Sequence, residues 1–161
     1  MSFQPRLRRV DSLVGPIVVH AARNTSGAAR FIVNEVAAIV NTNAQQSTSY
    51  NTVATGSASI HLPLVESVGA DGWSTGEGIM NTGTAATTVT VTYYDTVTGA
   101  QVGTSQSQLL QPNAFWGLYQ PSGGLPNGAR ASATVTTSPG GTVAVVCNES
   151  SLATFMSYGG Q

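Results

Sequence analysis

Apolar and polar residues alternate with period two over much of this chain. Thr88-Val89-Thr90-Val91-Thr92-Tyr93 sets Val89, Val91 and Tyr93 on one side and three threonines on the other. That is the pattern of a strand with one face in a core. Ala129, Ala131, Ala133 and Val135 alternate in the same way with Arg130, Ser132, Thr134 and Thr136. Turn signals separate such runs: Asn81-Thr82-Gly83, Thr98-Gly99, Pro112-Asn113, Pro121-Ser122-Gly123-Gly124, Pro126-Asn127-Gly128 and Pro139-Gly140-Gly141. A spacing of about ten residues between them predicts antiparallel strands in a sandwich or barrel. Only Ala28 to Ala44 has helical potential, and its Phe31-Ile32-Val33 and Ile39-Val40 clusters favour strand. The expected fold is therefore all-β, an antiparallel β-sandwich of about ten strands with at most short helical turns. No linker interrupts the pattern, so residues 1–161 read as one domain.

A second pattern lies on top of the first. Gly15 to Glu35 and Gly128 to Glu149 share one plan: an apolar run, a Ser/Gly turn, and a second apolar run ending in Asn-Glu. Each copy later reaches a Ser-Tyr pair, Ser49-Tyr50 and Ser157-Tyr158. Self-similarity of this kind marks a reused supersecondary unit. The first copy continues through a strand holding Leu62-Pro63-Leu64, whereas the second stops at Gln161. The expectation is a subunit completed by its neighbours.

Composition narrows the function classes. Only 8% of residues are charged, against roughly a quarter in ordinary soluble domains. Lysine is absent, five of the six arginines lie in the first thirty residues, and the net charge is −1. Nucleic-acid binding needs a basic footprint that this balance lacks. Cys147, the single cysteine, forms no internal disulfide; aligned with Val33 of the first copy, it reads as a small buried hydrophobe. No run approaches the ~18–20 apolar residues of a membrane span. Asp11, Gly15-Pro16 and His20 break up what would be a signal-peptide core, so none is read here. A weakly charged, threonine-rich surface suits an extracellular or cell-surface assembly.

Motifs for chemistry are sparse. Gly72-Trp73-Ser74-Thr75-Gly76 matches the G-x-S-x-G pattern, but that motif needs a strand, a tight elbow and a helix. Here a strand-like run follows it, so it reads as the start of a strand. His20 and His61 stand in apolar runs without partners at metal-ligand spacing. Glu66, Asp71, Glu77 and Asp95 lack the D-x-D-x-D-G calcium pattern, and Asp71-Gly72 reads as a turn. No catalytic residue, metal or cofactor is expected. Phe115, Trp116 and Tyr119 form the one aromatic-rich patch, a core or subunit contact in the first reading and a sugar-stacking surface in the second. Asn24 and Asn148 fit the N-glycosylation pattern, and the threonines are candidate O-glycan positions.

Gly72-Trp73, Asn81-Thr82-Gly83, Val89 to Asp95, Leu125 to Gly128, Val143 to Glu149 and Ser157-Tyr158-Gly159 together resemble the tandem immunoglobulin-like β-sandwich repeats of bacterial cell-surface proteins. In those repeats a Leu-Pro-Leu strand follows the Ser-Tyr segment, and a Gly-Trp strand opens the next module. The resemblance implies an immunoglobulin-like or jelly-roll-like sandwich without catalytic residues. It also implies a division into a body of residues 66–161 and an N-terminal segment of residues 1–65 that reaches the preceding subunit. Ile17, Val18, Val19, Phe31, Ile32, Val33 and Ile39 would be the donated apolar residues, each contributing ~1.5–3 kcal/mol if buried. The partner is the chain itself, head to tail, as in the strand donation of pilus-like fibres. The function expected first is a structural filament or surface-assembly subunit. A virion tube or decoration protein is the second reading and a carbohydrate-binding module the third.

Overall fold

The computed structural model describes residues 55–151 and 154–160, apart from the Phe155 side chain, and the backbone of three N-terminal strands. Those strands, β1 (Pro16–Val19), β2 (Val36–Asn41) and β3 (Gln46–Asn51), form an antiparallel sheet in that order. The remaining strands are β4 (Ser59–Glu66), β5 (Ser74–Asn81), β6 (Thr87–Asp95), β7 (Gln101–Leu110), β8 (Phe115–Tyr119), β9 (Arg130–Thr137), β10 (Val143–Ser150) and β11 (Phe155–Gly159). They make two antiparallel four-stranded sheets, ordered β4-β9-β6-β7 and β11-β10-β5-β8. This β-sandwich thus holds eight strands where about ten were expected. Among the described residues helix is confined to one 3-10 turn, Gln120–Ser122, and no helix is long and apolar enough to cross a membrane. The boundary expected at residue 65/66 falls inside β4, which pairs with β9 and so belongs to the body.

The alternation read from the sequence is the alternation of burial. Val89, Val91 and Tyr93 on β6 and Ala131, Ala133 and Val135 on β9 point into the sandwich, while Thr88, Thr90 and Thr92 do not. Ile60, Leu62 and Val65 of β4 and Ile79, Val143, Val145 and Cys147 of the other sheet complete one continuous core. At about 1.5–3 kcal/mol per buried large aliphatic side chain, these residues dominate the stability of the fold. On β4 the phase slips between Leu62 and Val65. Pro63 has no N–H for the ladder, so a bulge there returns Val65 to the core side.

Loop 120–126 is pinned to the edge of β7, where the Thr104 N–H donates to Gly124 O at 2.9 Å. Gly103 takes φ +68 beneath it, and a Cβ on Gly124 would stand 2.0 Å from Thr104 O. Glycine is required at both places, at one by conformation and at the other by space.

The repeat folds differently from its sequence alignment. β9 and β10 lie in different sheets, whereas β1 and β2 pair with each other. What corresponds is the hairpin that follows: Tyr50 stands opposite Ala37 in β2–β3, and Tyr158 stands opposite Cys147 in β10–β11. By register the counterpart of Cys147 is thus Ala37 rather than Val33. The Ser-Tyr pair anchors the match, and a four-residue shift between valine-rich runs preserves strand parity, so composition alone cannot detect it.

β3 lies beside β11, the outer strand of its sheet. The chain's own Leu-Pro-Leu strand closes the same end of the sandwich. The Tyr158 hydroxyl donates to Leu64 O, and the Gly160 N–H donates to Val145 O at 3.1 Å. A Cβ on Gly160 would stand 2.3 Å from Ile60 Cγ2. β4 of the same molecule therefore packs against the β11 end of the facing sheet.

Candidate functional site

Two arrangements stand apart from ordinary sandwich packing. The first is polar and internal. On the inward face of β5, Thr75 and Glu77 follow the same period as Ile79. On the paired strand β10, Cys147 and Glu149 follow Val143 and Val145. Glu77 Oε1 accepts from Gln120 Nε2 at 2.7 Å, and the same amide nitrogen donates to the Tyr93 hydroxyl at 2.8 Å. Gln120 Oε1 accepts from the Leu125 N–H at 3.3 Å. Glu149 Oε1 accepts from Thr75 Oγ1 at 2.6 Å, and Thr75 Oγ1 accepts from the Glu66 N–H at 2.7 Å. The second carboxyl oxygen of each acid, Glu77 Oε2 and Glu149 Oε2, is buried and has no hydrogen-bond partner.

Burial therefore governs these groups. It pushes the Glu77 carboxyl up to about 8, against the opposing hydrogen bond from Gln120. It pushes Glu149 up to about 7, against the hydrogen bond from Thr75. Burial also raises the Cys147 thiol and the hydroxyls of Tyr93 and Tyr158 above their ordinary ranges. Burial thus favours the neutral form of both acids. Beside it, Arg130 pairs with Glu66 and with Asp71, the latter at 3.1 Å, in a depression of about 470 Å³ lined also by Gly69, Ala70 and Gly128. Its guanidinium is already matched by two carboxylates, which leaves it poorly suited to an anionic ligand.

The second arrangement is the outward face of β8, β5 and β10. Phe115 is 66% exposed, Tyr119 53% and Met80 40%. Phe115 stands opposite Met80, and Gly117 opposite Gly78. The Phe115 ring leans over these glycines: a Cβ on Gly78 would meet Phe115 Cε2 at 2.9 Å, and one on Gly117 would meet Cε1 at 3.3 Å. The expected aromatic patch thus divides. Phe115 and Tyr119 face outward, whereas Trp116 turns inward and packs against the core. Strand pleating imposes that division, because neighbours along a strand point to opposite faces.

The other sequence-marked residues are placed as follows. Ile17, Val18 and Val19 lie on β1 and Ile39 on β2, with Ile17 opposite Ala38 and Val19 opposite Val36. Phe31, Ile32, Val33, His20 and Asn24 lie outside the described residues. Asn148 is an outward, half-buried position of β10 whose Oδ1 accepts from Ser157 Oγ at 2.7 Å. Ser74 opens β5, and its Oγ accepts from the Val68 N–H at 3.3 Å. His61 is an exposed residue of β4 that contacts its cross-strand partner Thr134 on β9, 3.2 Å from Nδ1 to Oγ1, whereas Ser74 lies buried on the other sheet. Gly72 has φ +80 and its N–H donates to Gly69 O, so Asp71-Gly72 does form a turn. Among the described residues no group of three or more His, Cys, Asp or Glu side chains could hold a metal ion. The Glu77–Gln120–Tyr93 network was missed by motif reading. Its signal was the phase of Glu77 with Ile79 and of Glu149 with Val145.

No protein-family model matches the chain, and no curated protein matches it. Among solved structures it is similar to the crystal structure of Thermotoga maritima 1070, with a TM-score of 0.55 and 16% identity. The match covers 66% of this chain and 94% of that chain. At this identity the likeness shows the fold alone.

Proposed function

We propose that the chain is a structural subunit that assembles head to tail by exchanging its N-terminal sheet with the next copy. One observation carries the reading: the β2–β3 hairpin repeats β10–β11, and β3 lies beside β11 at the edge of the body. An element that precedes the body in the chain can occupy the same place on its own body or on a neighbour's. Exchange of that kind keeps the contacts and changes only which molecule supplies them. Because the donating and accepting surfaces differ, repeated exchange propagates a line unless geometry closes a ring. The immunoglobulin-like reading and the extracellular setting belong to the same proposal, supported by the resemblance to surface repeats and by the low charge. A virion tube or decoration subunit would use the same joint.

The test is removal of residues 1–54. The intact chain is expected to form linear polymers visible by electron microscopy and fast in sedimentation. The truncated chain should remain a folded monomer with a β-rich circular dichroism spectrum, and added peptide 1–54 should bind it. An intact chain that stays monomeric, or a truncated one that polymerises as before, rules the reading out.

A further inference from the structure

We propose that the outward face of β8, β5 and β10 is a binding platform for a neutral saccharide chain, with Phe115 as its stacking ring. This proposal stands independently of the assembly reading. The argument starts from the glycines. Gly78 and Gly117, paired across β5 and β8, remove the side chains that would flank an outward aromatic, and the Phe115 ring settles over them. One ring face rests on backbone and the ring remains 66% exposed. The negatively polarised face of an aromatic ring attracts the polarised C–H groups on the apolar side of a pyranose. Tyr119 lies two positions beyond Gly117 on the same side of β8, opposite Gly76, and is 53% exposed. Across Gly76 stands Asn148 of β10. Ser157 Oγ donates to its Oδ1 at 2.7 Å, which leaves the amide nitrogen as donor for a sugar hydroxyl.

Charge selects the class of saccharide. None of the outward positions of β5, β8 and β10 carries Asp, Glu, Lys, Arg or His. An anionic glycan would gain nothing there, whereas a neutral one loses nothing. Size argues against a protein partner. From Phe115 to Tyr119 is about 13 Å along the strand and from β8 to β10 about 10 Å across, on the order of 130 Å². A stable protein interface needs roughly 800 Å² per partner. A short run of sugar rings fits such a platform.

Affinity electrophoresis of the full chain tests the idea, with gels cast in mixed-linkage β-glucan, galactomannan, dextran or alginate. At least one of the three neutral polymers is expected to retard the protein, and alginate is not. Phe115→Ala should weaken the retardation at least tenfold and Tyr119→Ala by a smaller factor. Phe115→Leu keeps an apolar contact with Gly78 and guards against a folding defect; it should weaken binding as Phe115→Ala does. Retardation by none of the neutral polymers, equal retardation by alginate, or undiminished retardation of Phe115→Leu overturns the proposal. It is also overturned if Phe115→Leu alters only self-association in sedimentation, which would make the face a subunit contact.

Discussion

Replacing Glu77 with Gln should raise the unfolding temperature at pH 8.5 by on the order of 10 °C, with little or no gain near pH 4.5. The sign follows from the two states. In the unfolded chain the carboxyl titrates at its ordinary 4.5, and in the fold burial holds it up at about 8. Below pH 4.5 both states are protonated and the acid costs the fold nothing through titration. Between the two values the unfolded chain releases a proton that the fold keeps. Stability therefore falls by about 1.4 kcal/mol per pH unit, and the loss is complete above pH 8. Glu149 adds a second loss over a narrower window, from its ordinary 4.5 to about 7. Asp95 acts in the opposite sense, because hydrogen bonds from the Thr98 N–H and hydroxyl and the Val97 N–H hold it below its ordinary value. Its contribution is lost on the acid side. Thermal unfolding followed by circular dichroism from pH 2 to 9 reads all three effects, the Asp95 loss falling below pH 3.8. A wild-type melting temperature that stays flat between pH 5 and 8, or a Glu77→Gln variant with an unchanged slope, would refute the assignment.

Gln120→Leu should cost about 3–5 kcal/mol, the largest loss expected from a single polar side chain in the body. One amide serves three buried groups at once: Glu77 Oε1, the Tyr93 hydroxyl and the Leu125 N–H. An isosteric apolar residue fills the volume but leaves Glu77 Oε1 and the Leu125 N–H unpaired, at roughly 1–3 kcal/mol apiece, while the Tyr93 hydroxyl keeps Gln106 Oε1 as its acceptor. The loss at Leu125 should also loosen loop 120–126 and with it the Thr104–Gly124 contact on β7. A double-mutant cycle separates this from simple packing. Gln120→Leu combined with Glu77→Leu should cost clearly less than the sum of the single changes, because each removes the other's orphaned partner. Strict additivity in chemical denaturation would mean that the network contributes nothing as a unit.

The strands that were legible in the sequence are those with one wet and one dry face. β6 and β9 could be read residue by residue, because threonine and valine, or serine and alanine, separate the two sides. β7 was not legible, since Gln101–Leu110 is polar on both sides and half-exposed along most of its length. It is an edge strand held by pairing with β6, and no periodic apolar signal is needed for that. The aromatic patch was found but not resolved, because Phe115, Trp116 and Tyr119 read as one cluster until pleating is imposed. The buried acids escaped for the reverse reason. Motif searches look for acids near one another in sequence, whereas Glu77 and Glu149 meet partners 43 and 74 residues away. The order β4-β9-β6-β7 is likewise a property of long-range pairing, which local patterning does not encode.

Cys147 has a consequence for where such a molecule can be used. Its sulfur lies in the core, fully buried, and burial raises the thiol well above the range in which a thiolate forms. Disulfide exchange and metal capture both proceed through the thiolate. The one thiol of the chain is thereby silenced. With Cys147 as the sole cysteine, the chain has no disulfide to gain in an oxidising medium and none to lose in a reducing one. The same molecule can be made under one redox regime and serve under another without thiol chemistry altering its fold.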